Sequence, residues 1–142
     1  PTVIGKNCEI RTGAYIRGGV LIGDDVIVGH ATEIKHSILF NNSYAAHFNY
    51  LGDSILGYRA HLAAGAITAN VRLDKQSVKI RDGENRIDTE LAKFGALIGD
   101  GSEIGCNAVL NPGSILGKKS VIFPLVSWRG ILPEQGVAKR SV

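Results

Sequence analysis

The chain has no methionine, two cysteines, one tryptophan and only 6 % aromatic residues over 142 positions. It also lacks any run of about 18 apolar residues, the length a membrane-crossing helix needs, and any signal-peptide layout. A soluble cytoplasmic protein with no membrane partner is the expectation. Cys8 and Cys106 lie far apart with no C-x-x-C spacing, which argues against a disulfide or zinc site and for two buried free thiols. Neither a P-loop nor a strand followed by G-x-G-x-x-G occurs, and Ser43 and Ser54 lack a G-x-S-x-G setting. Asp24, Asp25 and Asp100 recur at polar corner positions rather than as the facing pair a glycosidase needs. Charge of one sign is scarce too: 16 Lys plus Arg against 13 Asp plus Glu leaves a formal +3, interspersed along the chain. That balance suits small anions better than a nucleic-acid surface, although Lys118, Lys119, Lys139 and Arg140 form two small basic clusters.

What is present is a six-residue rhythm. An aliphatic or large apolar residue recurs at Ile4, Ile10, Ile16, Ile22, Val28, Ile34 and Phe40, and again at Ile98, Ile104, Leu110, Leu116 and Ile122. Neither a 3.6-residue helix nor a two-residue strand alternation gives that spacing. A short strand and tight corner, repeated around a polygonal coil, gives it, and each coil must stack on the next to bury its interior. The residue four places after each slot (Cys8, Ala14, Val20, Val26, Thr32) completes an inward pair. Gly5, Gly23, Gly29, Gly57, Gly99, Gly105 and Gly117 follow slots, implying tight backbone packing or positive φ there. The fold expected is therefore an all-β parallel β-helix forming one domain over residues 1–142. Pro1 fits removal of an initiator methionine and equally a C-terminal domain of a longer protein.

Two interruptions stand out. The beat slips at His47-Phe48-Asn49 before restarting at Tyr50, Leu56 and Leu62. Residues 71–97 break it altogether, and Val78 to Arg81, Asp82-Gly83 and Asn85 to Asp88 read as a hairpin. The break forms a protruding arm, over the coil or against a neighbouring subunit. The tail 124–142 reads as an irregular C-terminal cap.

His30, His36, His47 and His61 all lie in the middle third. On coils of about 18 residues His30 and His47 fall on one face of adjacent coils. Clustered imidazoles leave a metal-dependent hydratase open as one function. A second is acyl transfer, in which His47 at the slip takes a proton from an attacking amine while amides of Ala63-Ala64-Gly65-Ala66 stabilise the oxyanion. A third is a non-catalytic trimerising or regulatory domain of a nucleotidyltransferase.

The hexads resemble those of the left-handed parallel β-helix acyltransferases. AHFNYLGDSILG at 46–57 and HLAAGAITANV at 61–71 make residues 28–70 similar to the acetyltransferase domain of the bifunctional N-acetylglucosamine-1-phosphate uridylyltransferase/glucosamine-1-phosphate acetyltransferase family. The resemblance implies a left-handed coil, a homotrimer with sites between subunits, acetyl-coenzyme A as acyl donor, a sugar-phosphate acceptor and no bound metal. It assigns His47 as general base, Tyr50 and Asn70 as acceptor contacts, Lys35 as a sugar-phosphate ligand and Arg11 as a further one. Ala64 and Gly65 match the coenzyme groove. His61 stands where the family has an asparagine, His36 replaces the second of two lysines, and Val71 replaces a tyrosine.

Overall fold

The computed structural model describes residues 1–142 as strands and turns, with no helix and hence none long and apolar enough to cross a membrane. The chain winds as a left-handed β-helix of hexapeptide repeats. Its three parallel sheets run along the coil axis. The first sheet stacks Thr2–Ile4, Val20–Ile22, Ile38–Leu39, Ile55–Leu56, Ala96–Ile98, Ser114–Leu116 and Ile131–Leu132. The second stacks Glu9–Ile10, Ile27–His30, Tyr44–His47, His61–Leu62, Glu103–Ile104, Val121–Ile122 and Val137–Ala138. The third holds Tyr15–Ile16, Glu33–Lys35, Tyr50–Gly52, Ile67–Thr68, Val109–Leu110 and Ser127–Trp128.

Apart from Phe40 and Tyr50, the slot residues point into the prism, because alternate residues of a strand face opposite sides. The interior is a column of 22 buried residues, among them Val28, Ile34, Leu39, Leu51, Leu56, Leu62, Ile104 and Leu110. Burying each of the larger ones contributes roughly 1.5–3 kcal/mol. Ile4 and Ile10 of the first coil are exposed, since other coils stack on them from one side only. Hydroxyls hold the corners: Ser54 Oγ donates to Gly52 O (2.7 Å) and accepts from the Ala96 N–H (3.0 Å).

Register shows where the beat changes. Ile4 pairs with Ile22, Ile22 with Leu39, Leu39 with Leu56, Leu56 with Ile98, Ile98 with Leu116 and Leu116 with Leu132. The inward residue after Ile34 is therefore Leu39, 1 % exposed, and not Phe40, 49 % exposed. Likewise Leu51 points inward beside Tyr50. The slip expected at 47–49 lies instead at the corner between third and first sheets, where the steps from Ile34 to Leu39 and from Leu51 to Leu56 are each one residue short of a hexad.

Other expectations are corrected as well. Cys106 is exposed at a corner and Cys8 only half-buried, its Sγ 3.0 Å from Gly23 O; both thiols are free. Residues 124–142 carry three more strands, so they prolong the coil rather than closing it irregularly. The arm is an antiparallel hairpin, Lys79–Asp82 against Asn85–Asp88. It lies on its own coil, anchored by the buried Val78. A Cβ on Gly113 would come within 3.0 Å of Lys79 O, and one on Gly130 within 3.0 Å of Arg81 O, so glycine at these two corners admits the arm strand.

Gly29 illustrates the slot glycines: its φ is not positive, and a Cβ there would sit 1.5 Å from Ala46 O of the next coil. Backbone proximity, not conformational freedom, selects glycine. Gly29→Ala is expected to cost about 3 kcal/mol and to lower the melting temperature by roughly 10 °C. Gly83→Ala, at the arm tip with open space around it but φ +58°, should cost roughly 1 kcal/mol. Thermal melts of the two variants check the order; equal shifts would contradict it.

Candidate functional site

Two corners carry the candidate residues. Tyr44–His47 pairs with Ile27–His30, which sets His47 directly against His30. The chain then turns through Phe48, in the left-handed region at φ 51°, with its N–H on His30 O (2.9 Å). The buried Asn49 fixes this turn. Its Oδ1 accepts the His47 N–H (3.1 Å) and its Nδ2 donates to Ala63 O (2.8 Å) and Ala66 O (3.2 Å) of the next coil. His47 thus projects from a backbone held on both sides.

The four histidines differ in what their rings meet. His30 Nδ1 lies 2.6 Å from Thr12 O with Phe48 edge-on beside the ring. His61 Nδ1 lies 2.8 Å from Glu103 Oε2 and its ring meets Tyr44 edge-on. His36 Nδ1 is 3.5 Å from Asp53 Oδ1. The exposed His47 ring has no hydrogen-bond or ionic partner in the chain, leaving a nitrogen able to take a proton from a bound molecule. No group of three or more His, Cys, Asp or Glu converges to hold a metal ion.

The glycine-rich stretch beside His47 offers less than expected as an oxyanion hole. The Ala63 N–H goes to Ile104 O (2.8 Å), that of Gly65 to His47 O (3.0 Å) and that of Ala66 to Ala63 O (3.1 Å). These three amides are consumed, two by coil stacking and that of Ala66 by its own turn, and cannot serve. The Ala64 N–H alone makes no bond within the chain, and the Gly65 to His47 bond places Ala64 next to His47 on the following coil. One free amide therefore lies on the residue stacked directly on His47.

At the corner between third and first sheets, Asp53 gathers Lys35, His36 and Asn70. Lys35 Nζ lies 3.1 Å from Asp53 Oδ2, the Asn70 amide donates to the same oxygen, and the Tyr50 hydroxyl is 3.4 Å from Asn70 Oδ1. Burial works to raise the Asp53 pKa. The Asn70 and Lys35 hydrogen bonds and the charges of Lys35 and His36 outweigh it and hold the carboxyl below its ordinary range. The ammonium of Lys35 is buried and already paired, so by itself it brings little net charge to a phosphate. Tyr50, Asn70 and Lys35 form one polar cluster across one face, and His47 lies at the opposite end of the Tyr50–Gly52 strand.

Two expected residues lie apart from that cluster. Arg11 sits two coils before His47, with its guanidinium on Glu9 (2.8 Å). His61 is on the coil after His47, in register with Tyr44 and turned to Glu103. Asp53 and Asn49, which organise the two corners, were not singled out from sequence. The polar residue Asn49 inside the AHFNYLGD stretch was the available signal.

Residues 1–36 match the family described as bacterial transferase hexapeptide (six repeats). The chain is 38 % identical over 109 residues to the bifunctional protein GlmU of Methanococcus vannielii, covering 77 % of this chain and 26 % of that one. It is 36 % identical to the putative uncharacterized acetyltransferase YaiX of Escherichia coli K12, covering 92 % of this chain and 65 % of YaiX. It therefore spans about a quarter of the GlmU relative's length. Among solved structures, AntD, an N-acyltransferase from Bacillus cereus in complex with dTDP and 3-hydroxybutyryl-CoA, superposes with a TM-score of 0.72. The match covers 95 % of this chain and 76 % of AntD at 16 % identity, a likeness of fold.

The Asp53 hub sets a pH dependence. A carboxyl with a depressed folded pKa contributes stability that is present above its unfolded value, 3.8, and lost as pH falls through the folded value. Asp53→Asn removes that contribution and strands the Lys35 ammonium, so stability at pH 7 should drop by about 2 kcal/mol. The difference from the parent should shrink as pH falls below 3.8. Denaturant unfolding at several pH values measures this; a difference that persists undiminished in acid would show that Asp53 acts otherwise.

Proposed function

We propose that this chain, a coil of bacterial-transferase hexapeptide repeats, transfers an acetyl group from acetyl-coenzyme A to the amine of a sugar phosphate such as glucosamine-1-phosphate. The observation that carries the reading is that His47, with an unpartnered imidazole, and Ala64, with an unpartnered N–H, stack on adjacent coils whose main chain is held in place. Acyl transfer to an amine needs those two groups: a base for the proton and a donor for the carbonyl oxygen. The relative named a putative acetyltransferase supports the same chemistry, and the N-acyltransferase from Bacillus cereus shares the fold.

Acetyl-coenzyme A supplies an activated thioester; the small side chains at Ala63, Ala64 and Gly65 leave room for its approach next to His47. The amine nitrogen bonds to the carbonyl carbon, the carbon–sulfur bond breaks, and the departing thiolate receives, through His47, the one proton that the amine sheds. The products are an amide and free thiol, with no covalent enzyme species. His47 takes the proton that the amine sheds, and the Ala64 N–H points at the oxygen on which negative charge gathers. Tyr50 and Asn70 hold the acceptor's hydroxyls, and Asp53 orients Asn70 through its amide. Asn49 is a positioning residue, since it touches only the main chain of His47 and of the 63–66 turn.

A homotrimer, with the His47 corner of one subunit facing a neighbour, belongs to the same proposal. His47→Ala should lower kcat for glucosamine-1-phosphate acetylation by roughly 10²–10⁴-fold while leaving the thermal melt and the sedimentation coefficient unchanged. Turnover equal to the parent at saturating substrates would remove His47 from the mechanism.

A further inference from the structure

Beyond Asn70 the arm roofs a cleft of about 630 Å³, a size that accommodates a small ligand. It begins where the polar cluster ends, because Ala69 and Val71 flank Asn70 and both line it. Its floor is the corner at Asn111-Pro112 and Arg129, and its wall is the first arm strand. Lys79 and Arg81 are two apart on that strand and so share its cleft-facing side. Arg72 enters from the loop and Arg86 from the second arm strand.

Five cations line this cleft against one carboxylate, Asp74. Asp74 is spent on Arg72, which it grips with both oxygens. Lys79 has Asp88 at 3.9 Å. Arg81, Arg86 and Arg129 pair with no carboxylate. Arg86 reaches only the carbonyls of Gly83 (2.9 Å) and Asn85 (2.7 Å), and Arg129 only Asn111 Oδ1 at 3.5 Å. Burial first, and then the charges of Arg129, Arg86 and Arg72, push the Arg81 guanidinium below its usual range, as like charges crowding one space do. Repulsion of this kind is a standing cost in the free protein, and an anion between the guanidiniums would relieve it.

We propose that the arm cleft is a phosphate-binding site, in which Arg81, Arg86 and Arg129 clasp a phosphate or diphosphate group of a ligand whose remainder reaches toward Asn70. Guanidinium forks match phosphate oxygens in pairs, and three of them arriving from two arm strands and the coil surround one such group. The site also accounts for Lys35 being neutralised by Asp53. The charge that meets the phosphate comes from the arm, while Lys35 stays in the structural cluster. Phosphate can come from the sugar-phosphate acceptor or from the diphosphate and ribose phosphate of the donor. That choice rests on the acetyl-transfer reading; the anion site does not.

Calorimetric titration of the intact chain with inorganic pyrophosphate tests the site without requiring turnover. Binding is expected in the parent, weakened by salt, and at least about tenfold weaker in an Arg81→Gln/Arg129→Gln double variant. An unchanged thermal melt and Trp128 fluorescence would confirm that the variant keeps its coil and docked arm. No heat in the parent at millimolar pyrophosphate, or equal binding by both proteins, would overturn the proposal. Initial rates then identify the source. A raised KM for glucosamine-1-phosphate alone marks the acceptor, and a raised KM for acetyl-coenzyme A alone marks the donor. Neither rising would remove the cleft from substrate binding. Pyrophosphate binding that persists in a chain unable to acetylate would instead count against acetyl transfer and leave the anion site standing.

Discussion

Hydrogen bonding between successive coils, residue upon residue in parallel register, is the constraint on which the rest depends. Strand backbone groups find their partners one coil away, as in the columns His30 to His47 and Lys35 to Gly52. A coil therefore cannot gain or lose a residue without shifting a whole column. Such a change is tolerated only at a corner, where no ladder bond has to be kept. The same register leaves little room between coils, which is why Gly29 meets Ala46 and why Gly113 and Gly130 meet the arm.

All the length changes fall at one of the three corners. Ile34 to Leu39 and Leu51 to Leu56 are each one residue short there, Trp128 to Leu132 is two short, and the arm enters between Thr68 and Ile98. The Lys35–Asp53–Asn70 cluster and the arginine cleft sit at this same corner. Irregularity and polar chemistry coincide because a corner freed from strict repetition can point side chains toward a ligand. His47 uses a different device. Its corner keeps the six-residue beat, and a single buried asparagine occupies a position where the repeat elsewhere places small or apolar residues such as Ala66 and Ala108.

The rhythm made the prism legible because one buried residue per side is demanded on every coil. Its phase was legible only where apolar residues stand alone. At Leu39-Phe40 and Tyr50-Leu51 two apolar residues adjoin, and strand alternation turns one of each pair outward, so hydrophobicity could not say which. His47, Tyr50, Asn70 and Lys35 were legible as residues but not as partners. Nothing in the sequence marks Asp53 as the partner of Lys35 and Asn70, which reach it from the coils on either side. The arginine cleft was hidden altogether, because Arg72, Arg81, Arg86 and Arg129 meet only when the hairpin folds back onto the Gly113 and Gly130 corners.

The two corners also differ in how firmly they are held, and this bears on what each can do. The main chain of His47 is held by Asn49 and by bonds to the coils on both sides. Fixed placement suits a base that must meet a reacting atom within hydrogen-bond reach. The arm touches the coil through one strand and the buried Val78, while both its strands are otherwise exposed. Its guanidiniums repel one another in the free protein, so an anion bound among them stabilises the docked arm by as much as the docked arm stabilises the anion. Binding energy gathered at the arm is in that way available to order Val71 to Asp74 and, through Asn70, the polar cluster of Tyr50, Asp53 and Lys35 next to it.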